Sequence, residues 1–185
     1  MYWWWRSKCR GGGESVKMDI ISEWNNYKEL IKPYSSLKLN GGCSENEILQ
    51  CEKILGCDFP EDLRQLYLQN NGEKENSEGI FKIVYGYDIY RRAKFLRLED
   101  IKIVWRKLYE DKEIQDVFFP TDIPFACNFY NKSIETIFCI DSRSQNIYLL
   151  SVLAIDWTLP VDWQTSRKKR AENLVEFLQK QRELY

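Results

Sequence analysis

Ser44-Glu45-Asn46-Glu47-Ile48-Leu49-Gln50-Cys51-Glu52-Lys53-Ile54-Leu55-Gly56, followed by Phe59-Pro60-Glu61-Asp62-Leu63-Arg64-Gln65-Leu66-Tyr67 and closed by Asn70-Asn71-Gly72, decides the fold. Ser44 is a natural helix N-cap, and Glu47 three residues on completes a capping box. Ile48, Cys51, Ile54 and Leu55 then form one apolar stripe, and Gly56 supplies a left-handed stop. Pro60 opens a second helix where its missing amide proton does no harm, with Glu61 and Asp62 near the positive helix end. Leu63, Leu66 and Tyr67 form its buried face, and Asn71-Gly72 closes it. Two short helices joined by a tight turn make a hairpin, which needs another layer to cover its apolar side.

Working outward, residues 19–32 read as a helix. Ile20, Ile21, Trp24, Tyr27, Leu30 and Ile31 recur at three- and four-residue steps, and Pro33 ends the run. Beyond the hairpin, Ile80 to Tyr85 and Tyr87 to Tyr90 are β-branched and aromatic, which predicts strands with a bulge or bend at Gly86. Leu96 to Leu98 reads as a short edge strand. A helix over Glu99 to Glu110 points Ile101, Val104, Trp105 and Leu108 inward. Phe125 to Asn128, Thr136 to Asp141 and Asn146 to Leu153 are three more strand candidates, and Trp157 to Trp163 is irregular. A final helix is expected from about Ser166, opening on Arg167-Lys168-Lys169-Arg170 and burying Ala171, Leu174, Val175 and Leu178. This order predicts a single α+β domain, a central mostly antiparallel sheet flanked by helices.

Composition narrows the chemistry. With 44% hydrophobic and 30% charged residues among 185, the chain can build one ordinary core. Its 27 basic and 28 acidic residues nearly cancel, so no global basic field points to nucleic acid. Histidine is absent, which excludes Ser-His-Asp and Cys-His catalysis and every zinc site that needs imidazole. The six cysteines include no C-x-x-C pair, so they lack the spacing of thiolate zinc sites and thioredoxin-type motifs. Cys127 and Cys139 sit in apolar stretches, as buried free thiols do. Reduced cysteines imply a cytoplasmic location. No apolar run reaches the roughly 18 residues of a membrane helix.

Residues 1–17 carry Arg6, Lys8, Arg10 and Lys17 against Glu14, with Trp3, Trp4 and Trp5 near the start. They read as an unstructured leader, with the domain occupying 18–185. The competing reading is an arm that stacks on single strands or rests on a membrane surface.

The capped helix pair ending in Asn70-Asn71-Gly72 resembles the signature of the SUKH superfamily, which includes fungal cell-wall assembly regulators and many bacterial immunity proteins. Leu98-Glu99-Asp100-Ile101, Ile123-Pro124-Phe125-Ala126 and a last helix carrying Leu174, Phe177 and Leu178 extend the likeness to about residues 24–181. Phe59 stands where the family commonly has Leu. Asn128-Phe129-Tyr130-Asn131-Lys132 replaces a frequent Gly/Asp-rich turn, and Trp157 to Trp163 is a local elaboration. The resemblance implies a binding domain rather than an enzyme, so no catalytic, cofactor or metal residues carry over. It implies either an immunity protein for a cognate toxin domain or a scaffold resembling the fungal regulators.

Charge refines the first option. Between Cys43 and Gly79 stand nine acids and three bases, an acidic run suited to the cationic surface of a nuclease toxin. Glu73, Glu75 and Glu78, on the loop after the hairpin, are expected to reach outward, and Asp58 and Glu61 are further candidates for partner contact. Tyr85, Tyr87, Tyr90, Trp157 and Trp163 are candidate aromatic anchors. Asp88 and Asp141 could serve an enzyme, but nothing in their spacing requires it. The expected partner is therefore a protein toxin, with no direct nucleic-acid or membrane contact.

Overall fold

The computed structural model describes residues 19–33, 38–85, 89–110, 117–130, 133–151 and 166–185. The expected leader, Gly86, Tyr87, Asp88, Cys9 and the stretch Trp157 to Trp163 lie outside them, as do the side chains of Tyr85 and Tyr90. The elements run α1 Ile20–Ile31, α2 Glu45–Leu55, α3 Glu61–Gln69, β1 Phe81–Tyr85, β2 Ile89–Phe95, α4 Leu98–Glu110, β3 Asp122–Tyr130, β4 Ser133–Asp141, β5 Ile147–Ser151, β6 Ser166–Ala171 and α5 Leu174–Arg182. The six strands form one curled sheet in the order β1 to β6, and each neighbouring pair is antiparallel. The fold is α+β, as the element order predicts.

The hairpin forms as its punctuation dictates. The Ser44 side chain accepts from the Glu47 amide at 3.3 Å while Glu47 accepts from the Ser44 amide at 2.7 Å. Gly56 ends α2 with φ of +72°, a conformation that costs a side-chain-bearing residue energy. Ser44→Ala removes the acceptor of this box and should lower the unfolding free energy by roughly 1 kcal/mol in denaturant melts. Ile48, Cys51, Leu55, Leu63, Leu66 and Tyr67 are buried. Ile54 is not: at 47% exposure it lies off the stripe, because the turn that buries Cys51 and Leu55 swings the intervening residue to solvent.

Asn70-Asn71-Gly72 is a junction rather than a simple stop. Asn70 Oδ1 accepts from the Trp24 indole at 2.9 Å and its Nδ2 donates to the Asn40 carbonyl at 2.8 Å. Asn71 Oδ1 accepts from the Leu98 amide at 2.9 Å, capping α4. Gly72 has φ of +68°, and a Cβ there would lie 2.5 Å from the Arg97 nitrogen. Only glycine fits.

The sheet packs its aromatic face on α1, α3 and α5. Phe81 sits at the centre, its ring centroid 5.8 Å from Tyr27, 5.9 Å from Phe125 and 5.3 Å from Phe177. Tyr67 and Trp24 meet Phe95 from α3 and α1 at 4.9 and 5.7 Å. Aromatic pairs at these separations add to what area burial alone contributes.

Two expected elements differ. Leu96 to Leu98 is not a strand: the Leu96 amide bonds the Phe125 carbonyl at 2.8 Å, and Leu98 already begins α4. The basic run does not open the last helix. Ser166–Ala171 is edge strand β6, paired with β5, and α5 begins only at Leu174, where Asn173 Oδ1 accepts from the Glu176 amide at 2.9 Å. Pairing with β5 occupies backbone groups that a helix would have used internally.

Candidate functional site

The acidic run resolves into carboxylates with structural duties and carboxylates that face water. Glu47 belongs to the capping box, and its bond from the Ser44 amide holds its carboxyl below the ordinary range. Glu52, buried on α2, accepts from the Phe59 amide at 2.7 Å and pairs with Arg64 at 2.5 Å. Arg64 also reaches Glu45 at 2.6 Å. One guanidinium thus bridges α2 to α3, and the turn between them hangs on Glu52.

Glu73 reverses its expected role. It is 4% exposed, so it does not reach outward. Oε1 accepts from the Ile80 and Phe95 amides at 3.1 and 2.7 Å, and Oε2 accepts from the Ser77 hydroxyl. The carboxylate closes the 73–80 loop onto β2 because those two buried amides need an acceptor. Burial pushes its pKa up from the ordinary value.

What remains exposed is Asp58 and Glu61 at the α2–α3 turn, and Glu75 and Glu78 on the 73–80 loop. Glu61 accepts from Gln65 at 2.7 Å, and Glu78 lies 3.9 Å from Arg92. Asp58 and Glu61 stand at the start of the nine-residue helix α3, and Glu75 and Glu78 come several residues after its end. The exposed acids thus come from two separate segments of the chain. Tyr85 contributes backbone to β1, while its side chain and all of Tyr87 lie outside the described residues.

Charged features that sequence reasoning missed sit on the sheet. Asp122 is fully buried on β3, and Arg167 on β6 grips it with both terminal nitrogens. The Arg167 guanidinium also donates to the Val117 carbonyl at 3.1 Å and stacks on Tyr148 at 3.6 Å. Glu135 on β4 pairs with Arg91 on β2, and Glu23 on α1 with Arg182 on α5. None of these pairs shows in local sequence, since the partners stand 44 or more residues apart. A groove of about 330 Å³ also opens beside α5, rimmed by Lys82, Arg170 and Lys180.

The thiols are poor nucleophiles. Burial pushes Cys51 up to about 12 and Cys43 and Cys57 up to about 11. At neutral pH all three stay protonated, and the thiol is not the reactive form. Asp141 serves its turn by accepting from the Arg143 and Ser144 amides, both at 2.8 Å. Among the described residues no group of acids and cysteines is placed to hold a metal ion, and no helix is long and apolar enough to cross a membrane. The arrangement offers charged and apolar surfaces for binding.

Residues 42–180 match the family described as SMI1 / KNR4 family (SUKH-1). Comparison with curated proteins gives no match.

Proposed function

The chain belongs to the SMI1 / KNR4 family (SUKH-1), and from that membership we propose that it is a non-catalytic immunity protein. It binds a cognate toxin domain, a nuclease of a polymorphic or contact-dependent system, in the cytoplasm and blocks it without turnover. The observation that carries this reading is the family match across most of the chain, since the superfamily includes immunity proteins. The exposed carboxylates support the nuclease refinement. A nuclease must present positive charge to phosphate, and the exposed Asp58, Glu61, Glu75 and Glu78 offer the complementary sign. Charges of this kind act mainly on association rate and are screened by salt. Free thiols at the five described cysteines suit a reducing compartment.

Co-expression with candidate toxin domains, including any encoded beside this gene, tests the proposal. Growth should be rescued, and reversal of all four carboxylates to Lys should slow association most visibly at low salt. Glu73 is left out of that set because its change would damage the fold. Unchanged binding after the reversal would move the contact elsewhere. Failure to rescue growth, together with stable association with wall-synthesis or signalling proteins, would favour the alternative of a non-catalytic scaffold resembling the fungal cell-wall synthesis regulators.

A further inference from the structure

Strands β1 and β6 are the two ends of the sheet order, yet both line one groove together with α5. The sheet therefore curls until its edges flank the same helix. The floor of the groove is apolar: Ile83 on β1, Phe138 on β4, Leu149 on β5 and Phe177 on α5. The rim carries Lys82, Arg170 and Lys180 with the acid Glu183; Lys82 Nζ donates to the Leu184 carbonyl, and Lys180 pairs with Glu176 outside the lining. Lys168 stands opposite Leu149 in the β5–β6 register, adding a further positive charge on that side.

We propose that this groove binds an acidic segment of a protein partner, seating one apolar side chain on the floor and placing flanking carboxylates against the rim cations. Charge complementarity selects the partner. Three cations drawn from three different elements converge here, whereas lysines that merely blunt an edge strand would all project from that strand. The volume, about 330 Å³, lies at the lower end of ligand pockets and has room for one bulky apolar side chain. Backbone recognition at Lys82 is already blocked. Gln181 accepts from its amide at 2.8 Å and donates to its carbonyl at 3.0 Å, filling the place of an added strand. The groove thus reads side chains. Phe138 and Phe177 are each 2% exposed, so the floor offers a small apolar spot and no ring face for a base to stack on. Lys180 is held at the rim by Glu176 at 2.8 Å and by the Arg170 carbonyl at 2.9 Å. The inference rests on this geometry and not on the immunity reading.

The test is fluorescence anisotropy with the full chain and a labelled peptide of about twelve residues, Asp and Glu around a central Leu. Saturable binding is expected that weakens with added salt. A peptide with Ser for Leu, or with Lys for every acid, should bind at least about tenfold more weakly. R170E/K180E should weaken binding by a similar factor, while R106E/K107E on exposed α4 leaves it unchanged. If circular dichroism shows R170E/K180E to be unfolded, R170Q/K180Q replaces it with a smaller expected loss. No saturation up to about 1 mM peptide, equal binding of the Lys-substituted peptide, or indifference to the groove variants would overturn the proposal. So would displacement by a single-stranded oligonucleotide but not by unlabelled acidic peptide. Dimerisation in sedimentation that R170E/K180E abolishes would assign the groove to a second copy and overturn it as well.

Discussion

Arg167→Met should lower the unfolding free energy by about 3–5 kcal/mol in denaturant melts, because it strands a buried charge. Asp122 is 0% exposed and receives the Phe119 amide at 2.9 Å as well as both guanidinium nitrogens. Without Arg167, one amide bond must hold a carboxylate that water cannot reach. The same change deletes the cation packed on Tyr148 and Phe119 and releases the Val117 carbonyl. Most of the loss belongs to the orphaned carboxylate, so Asp122→Leu combined with Arg167→Met should recover much of it. A single variant as stable as wild type would mean that water reaches Asp122, and that the pair does not fasten β6 to β3.

Glu73→Leu should cost about 2–6 kcal/mol, since the Ile80 and Phe95 amides lose their acceptor and each buried orphan costs about 1–3 kcal/mol. Glu73→Gln should be mild. Its carbonyl can accept both amides, and its NH2 can donate to the Ser77 hydroxyl in place of the present reversed bond. The two forms should also differ with pH. Burial raises the folded pKa of Glu73 above its ordinary 4.5. Between those values the folded protein keeps a proton that the unfolded chain has lost. Stability from this group is therefore complete below the unfolded pKa and is lost as pH rises through the folded one. Relative to Glu73→Gln, wild type should weaken across that window. Equal stability of the Leu and Gln variants would show that the amides find other partners.

How much was legible follows from how locally each feature is determined. The α2–α3 hairpin reads directly because caps, stripe and glycine stop lie within a few residues of one another. The strand identity of Ser166–Ala171 was hidden: its basic run has no apolar alternation, and Asp122, which draws Arg167 inward, stands 45 residues away. Glu73 looked like a surface acid because nothing in Glu73-Lys74-Glu75 announces that the Phe95 amide lies above it. The same distance effect conceals the groove, whose lining comes from four strands and a helix. Its cations were visible as residues but not as neighbours. Sequence reasoning therefore found the fold and the exposed acids Asp58, Glu61, Glu75 and Glu78, and overestimated how many carboxylates were available for binding.

The two surface characters are compatible with one partner. The exposed acids would accelerate encounter with a cationic domain, and the basic groove would take an acidic segment of the same or another protein. Both are proposed binding roles, and Glu47, Glu52, Glu73 and Asp122 are taken up by hydrogen bonds within the fold.

Titration of a purified candidate toxin domain tests the proposed neutralisation most directly, with residual toxin activity and intact mass both read as this protein is added. Activity should fall linearly to zero at one equivalent while the toxin mass stays unchanged. Silencing by a small fraction of an equivalent, or a covalent change in the toxin, would show turnover and contradict a stoichiometric binder. Full activity in excess protein would contradict neutralisation itself.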